Sequence, residues 1–228
     1  MESVIINFAN ACVQIKELCQ KYPDLVIVTC QSDRIVLEGA ITVNHRIDSY
    51  TLCKTYKVRI IIFPDSDMLP EIYETDGVIK NYQHQYTNGK LCLETDTYIK
   101  WYFREEFKLT VWMEKFVIPY FISYEFYVKY DEFPFGDRLH GYLGILQSYQ
   151  DIFQVKDVVV AWLIIKHIAN NRYRGNGLCP CQSGKKLRVC HGRYLLPFYK
   201  NRLLYKMLCE DFDCINVMLK EMSKGKSC

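Results

Sequence analysis

The sequence predicts an α+β fold: an N-terminal helix, a four-stranded antiparallel meander, C-terminal helices and a small metal-binding appendage. Three observations carry this. Residues 2–21 place Val4, Ile5, Phe8, Ala11, Cys12, Ile15 and Leu18 at helical spacing, with Asn, Gln, Lys and Glu between them. Three β-branched and aromatic runs follow, joined by short connections. Near the far end, Cys179, Cys181, Cys190 and His191 supply four ligands for a tetrahedral metal ion.

Tyr22-Pro23 ends the first helix, because proline cannot donate to the helical ladder. Leu25–Cys30, Arg34–Val43 and Tyr50–Phe63 read as strands, bounded by Gln31-Ser32-Asp33 and a turn at Asn44-His45. The third run ends wholly apolar, as a central strand does, and Pro64 stops it. Glu71–Glu74 reads as a short fourth strand. From Phe107 a broad apolar face returns at helical spacing, with a kink or restart expected at Pro119. Gly144–Phe153 and Asp157–Ala169 read as two further helices, and Tyr194–Met222 as one or two more. The division expected is a core at 1–170 and a metal-binding appendage with helices at 171–228.

With 228 residues, half of them hydrophobic and 24% charged, the chain suits one generous domain plus a small appendage. A net charge of +3 does not by itself argue for nucleic acid, and most of the excess falls in residues 172–206. The first ten residues lack a basic stretch and a long apolar core, so a secretory leader is not expected. The eleven cysteines are then expected as free thiols in a reducing cytoplasm, with a metal site among them. The longest apolar run, Val158–Ile165, is too short to span a bilayer, so no membrane partner is expected.

The segment Tyr82-Gln83-His84-Gln85-Tyr86-Thr87-Asn88-Gly89-Lys90-Leu91-Cys92-Leu93 joins a turn signal, Asn88-Gly89, to a cysteine eight residues after a histidine. A thiolate is a nucleophile, and a nearby histidine can move protons for it. His84 is the candidate proton carrier or hydrogen-bond donor, and Asn88 and the Gly89 amide are further donors for a developing oxyanion. His140 lies in a Pro/Gly-rich loop and is a fourth candidate, should the chain fold back over Cys92. His45, in a turn, and His167, on an apolar helix, read as structural.

Several of these stretches resemble the ubiquitin-conjugating enzyme family. Leu37-Glu38-Gly39-Ala40-Ile41 is similar to its glycine-marked second strand, and Ile62-Phe63-Pro64 with Pro70 to its strand end and proline-rich loop. Gly89-Lys90-Leu91-Cys92-Leu93 resembles its active-site signature, and Trp101 falls near the family's tryptophan. The likeness covers residues 1–130. It departs at Tyr82-Gln83-His84, where the eukaryotic family has His-Pro-Asn. A histidine there, and Glu132–Gly141 followed by Gly144-Ile145, are similar to divergent bacterial members found in conjugation and antiphage operons. The resemblance implies that Cys92 accepts a ubiquitin-like protein as a thioester from an activating enzyme and passes it to an amine on a target.

Cys-Pro-Cys-Gln-Ser-Gly-Lys-Lys, at residues 179–186, closely resembles the SEC-C zinc motif, with Gln182 in place of its usual glycine. Four ligands leave no open position, so the zinc ion expected on Cys179, Cys181, Cys190 and His191 is structural. The surrounding Arg172, Arg174, Lys185, Lys186, Arg188, Arg193, Lys200 and Arg202 form a basic cluster able to face nucleic acid or an acidic protein. Two alternatives to a thioester carrier follow: a non-catalytic scaffold that keeps the conjugating fold, and a zinc-dependent module that binds nucleic acid or protein.

Overall fold

The computed structural model describes residues 5–47, 50–80 and 82–224. They form two compact units. One gathers the described residues of Ser3–Glu94 and Glu105–Asp137, and the other those of Thr95–Arg104 and Arg138–Cys228. Compactness thus groups residues 95–104 and 138–170 with the Cys/His segment rather than with the sheet.

The first unit is built on a sheet of order β1-β2-β3-β4, antiparallel throughout. Its strands are β1 (Val26–Cys30), β2 (Ile35–Ile47), β3 (Tyr50–Ile62) and β4 (Glu71–Glu74). Helix α1 (Phe8–Lys21) precedes them and buries Ala11, Gln14, Ile15 and Leu18, one stripe at helical spacing. It begins later than the apolar pattern suggests. Asn7 caps it by accepting from the Asn10 amide at 2.8 Å, and the Ile6 carbonyl is taken by the Asp65 amide at 2.9 Å. The start expected at residues 2–4 lies outside the described residues.

β2 also runs past Asn44-His45, to Ile47, because β3 supplies ladder partners that far: His45 pairs with Leu52 and Ile47 with Tyr50. His45 is therefore an exposed strand residue and not part of a turn. Gly39 stands at φ +148, where a Cβ would lie 1.9 Å from the Asp24 carbonyl oxygen, so only glycine lets β2 pass under the chain that enters β1.

The sheet's buried face carries Ile35, Leu37, Ile41, Val43, Tyr56, Val58, Ile60 and Ile62. The long apolar helix expected from Phe107 is realised in three parts: α3 (Leu109–Trp112), a π-helical turn (Met113–Val117) and α4 (Ile118–Tyr130). Pro119 has no N–H and its ring would crowd the carbonyl four residues back; the wider π turn relieves both. Phe121 of α4 stacks on Tyr56 at 4.2 Å, joining helix and sheet.

The second unit is helical: α2 (Asp96–Tyr102), α5 (Gly141–Phe153), α6 (Val158–Asn170), α7 (Gly192–Lys200) and α8 (Arg202–Lys224). Its core includes Tyr149, Phe153, Ile164, Ile165, Ile168, Leu195, Phe198, Leu204, Leu208 and Ile215. Helix α7 runs through Pro197 to Lys200, and Asn201 divides it from α8; the Asn201 side-chain oxygen accepts from the Leu203 and Leu204 amides and caps the new helix. Helix α2 is too short for periodicity to reveal. Its sequence signal is the Thr95 cap, whose side chain accepts from the Tyr98 amide. Among the described residues no helix is long and apolar enough to cross a membrane, and the described cysteines are free thiols.

Candidate functional site

Cys92 follows a tight turn. The Gly89 amide donates to the Tyr86 carbonyl at 2.8 Å, and Gly89 sits at φ +85. The Asn88 side-chain oxygen accepts from the Lys90 amide at 3.1 Å. These groups are thus engaged in forming the turn, and Asn88 itself is exposed. Lys90 pairs with Glu71 of β4 at 3.5 Å, and the Leu91 amide donates to Ile72 at 2.9 Å, so the segment is fixed to the last strand. The Cys92 amide then donates to the His84 carbonyl at 2.8 Å, which holds the two residues side by side with Cys92 half-buried.

His84 is anchored from three directions. Its carbonyl also accepts from the Tyr120 hydroxyl at 3.1 Å. Its ring stands edge-on to Tyr82 and Phe133, and its Nε2 lies 3.0 Å from Asp137 Oδ1. The Gln83 side chain donates to the same carboxylate. Burial pushes the Tyr82 and Tyr120 hydroxyls well above the usual phenol range, so both stay neutral. Asp137 was not visible as a site residue in the sequence: it lies 53 positions from His84, and only the fold brings them together. His140 belongs to the other unit, where it is the exposed residue before α5 and its carbonyl accepts from Gly144.

The Cys/His segment forms a knuckle. The Cys179 amide donates to Lys185, and the Leu187 amide to Gly177, each at 2.8 Å. Gln182 at φ 62 and Gly184 at φ +73 turn the chain between them. The Cys190–His191 end is set by a 3-10 turn (Leu187–Val189) running into α7. His191 Nδ1 lies 3.3 Å from Cys179 Sγ and 3.2 Å from Cys190 Sγ, and Cys181 Sγ is 3.5 Å from Cys190 Sγ. All four ligand atoms fall within 4.8 Å of one another. A tetrahedral zinc ion would hold such atoms roughly 3.5–3.8 Å apart, so the donor set needs only small adjustments to bind one. Burial pushes the Cys179 thiol up to about 12, and burial together with Arg193 lowers His191. A cation there would compensate the Cys179 thiolate that burial otherwise disfavours.

The SEC-C motif family matches residues 176–193, a stretch that includes all four ligands. No curated protein and no solved structure matches the chain. The chain therefore carries a SEC-C motif, and the Cys3His cluster inside it supports a zinc site.

Proposed function

We propose that the protein is a thioester carrier for a ubiquitin-like protein, with a zinc-bound appendage that docks a partner. The observation that carries the reading is the bond from the Cys92 amide to His84, whose ring is in turn oriented by Asp137. A nucleophile, a proton carrier and a group that orients it are the parts acyl transfer needs. The order of helix, antiparallel meander and cysteine loop supports it, as does the resemblance of Gly89–Leu93 to the conjugating signature.

In the reaction, the Cys92 thiolate attacks the carbonyl carbon of the activating enzyme's thioester, and the activating enzyme's cysteine leaves as a thiolate. An amine of the target then attacks the Cys92 thioester. His84 accepts the amine proton, the amide forms, and Cys92 departs as the thiolate. Zinc would be held by Cys179, Cys181, Cys190 and His191 and supply a cross-link for a segment with little core of its own.

The test is a charging reaction with ATP, a ubiquitin-like protein and its activating enzyme, resolved on non-reducing gels. A thiol-sensitive adduct absent from Cys92→Ala is the expected result. No adduct, with the partners shown to charge each other, would favour a non-catalytic scaffold.

A further inference from the structure

Between Asp157 and Glu210 the chain holds ten lysines and arginines and no carboxylate, while its total charge is only +3. The positive charge is therefore concentrated in the segment that contains the SEC-C motif. In the same unit a cleft of about 410 Å3 opens between α2, the end of α5 and the start of α7. That is room for one monomer of a polymeric ligand. Tyr98, Trp101, Tyr102 and Tyr194 supply flat walls, and Arg104 and Arg193 supply cationic ones. Trp101 is stacked on Phe198 at 4.9 Å, and the Arg104 guanidinium sits over it at 4.7 Å. The Arg193 guanidinium sits over Tyr194 at 4.6 Å. The acid in the lining, Asp151, is neutralised by Arg138 at 2.5 Å.

We propose that this cleft takes one nucleotide of a single-stranded nucleic acid: Tyr102, 40% exposed, stacks the base, and Arg193 holds the phosphate. Aromatic faces interleaved with guanidinium groups are how sequence-tolerant strand binding is achieved, because every base has a π-face and every linkage a charge. An acidic peptide would use the same cations but leave the flat walls unfilled. The exposed Arg172, Arg174, Lys185, Lys186 and Arg188 of the motif segment add charge for neighbouring phosphates. This site belongs to the helical unit and Cys92 to the other, and the proposal does not depend on the chemistry of Cys92.

The test is fluorescence anisotropy of a labelled single strand of about 12 nucleotides with the zinc-loaded full chain. Binding should fall steeply with salt. Arg193→Gln should weaken it and reduce the slope of log affinity against log salt by about 0.7, one phosphate contact. Tyr102→Ala should weaken it about fivefold or more with the slope unchanged, because stacking carries no charge. Both side chains are exposed, so zinc content and melting temperature should match the unaltered protein. The proposal is overturned if the strand does not bind at low salt, or if both variants bind as the unaltered chain does. It is equally overturned if a duplex binds as tightly, if free adenosine monophosphate binds as tightly as the strand, or if polyglutamate competes on equal terms.

Discussion

His84 and Asp137, 53 residues apart in sequence, meet at 3.0 Å between Nε2 and Oδ1. On the proposed reading, the carboxylate would steady the imidazolium that forms when His84 takes a proton. If Cys92 carries a thioester as proposed, Asp137→Ala should leave its charging close to normal and slow transfer to an amine about 10- to 100-fold. Asp137→Asn, which keeps a hydrogen-bond partner but not the charge, should fall between. Single-turnover discharge of pre-formed thioester across pH separates these steps; equal losses in charging and discharge would mean that Asp137 only shapes the loop.

The metal centre gives a second prediction. Purified protein should contain one zinc ion per chain by elemental analysis, and Cys179→Ser should contain far less than one. The loss should lower the melting temperature, since Leu187 and Leu195 beside the knuckle belong to the helical core. The mixed Cys3His set binds a borderline-soft ion, so a strong chelator should reproduce the effect in the unaltered protein, and added zinc should reverse it. Unchanged melting after complete removal would mean that the knuckle holds without its ion.

What was legible in the sequence depended on how local the signal was. The meander and β4 follow from β-branched runs and turn residues, and the Cys/His quartet from spacing alone, because each is encoded within a short stretch. The end of β2 was not legible, since pairing of Asn44–Ile47 with Tyr50–Cys53 extends a strand past residues of low β-propensity. Helix α2 was hidden by its seven-residue length, and Asp137 by the distance along the chain to its partner. The Asp211 carboxylate was hidden for a third reason: its neighbours come from two other helices.

Gln182 supplies a third prediction. It holds φ 62, a left-handed conformation that costs a side-chain-bearing residue roughly 1–2 kcal/mol. Its side chain is exposed, so no buried contact offsets the strain. Gln182→Gly should relieve it and raise zinc affinity several-fold in competition with a chelator, the gain blunted by the greater freedom of glycine in the unfolded chain. Gly184→Ala, at φ +73 with open space for the new methyl group, should do the reverse. Both changes leave the four ligands untouched, so a null result for the pair would locate the strain elsewhere.

The last prediction concerns Asp211, whose Oδ2 accepts from the Thr97 hydroxyl of α2 at 2.7 Å and the Tyr149 hydroxyl of α5 at 2.8 Å. Burial pushes its carboxyl up to about 6, against the lowering effects of those two bonds and of Lys100. The folded state therefore binds this proton more tightly than the unfolded chain, whose carboxyl titrates near 3.9. The stabilisation from this group is fully present below that lower value and is lost as pH rises through about 6. Asp211→Asn keeps an oxygen able to accept both hydroxyls but has no proton to lose. Relative to that variant, the unaltered protein should gain melting temperature as pH falls from neutral toward 5. Zinc contributes equally to both proteins, so the difference isolates the carboxyl. Parallel melting curves across that window would show that Asp211 keeps the titration of an ordinary carboxylate, and that the three helices are joined through a carboxylate that stays charged.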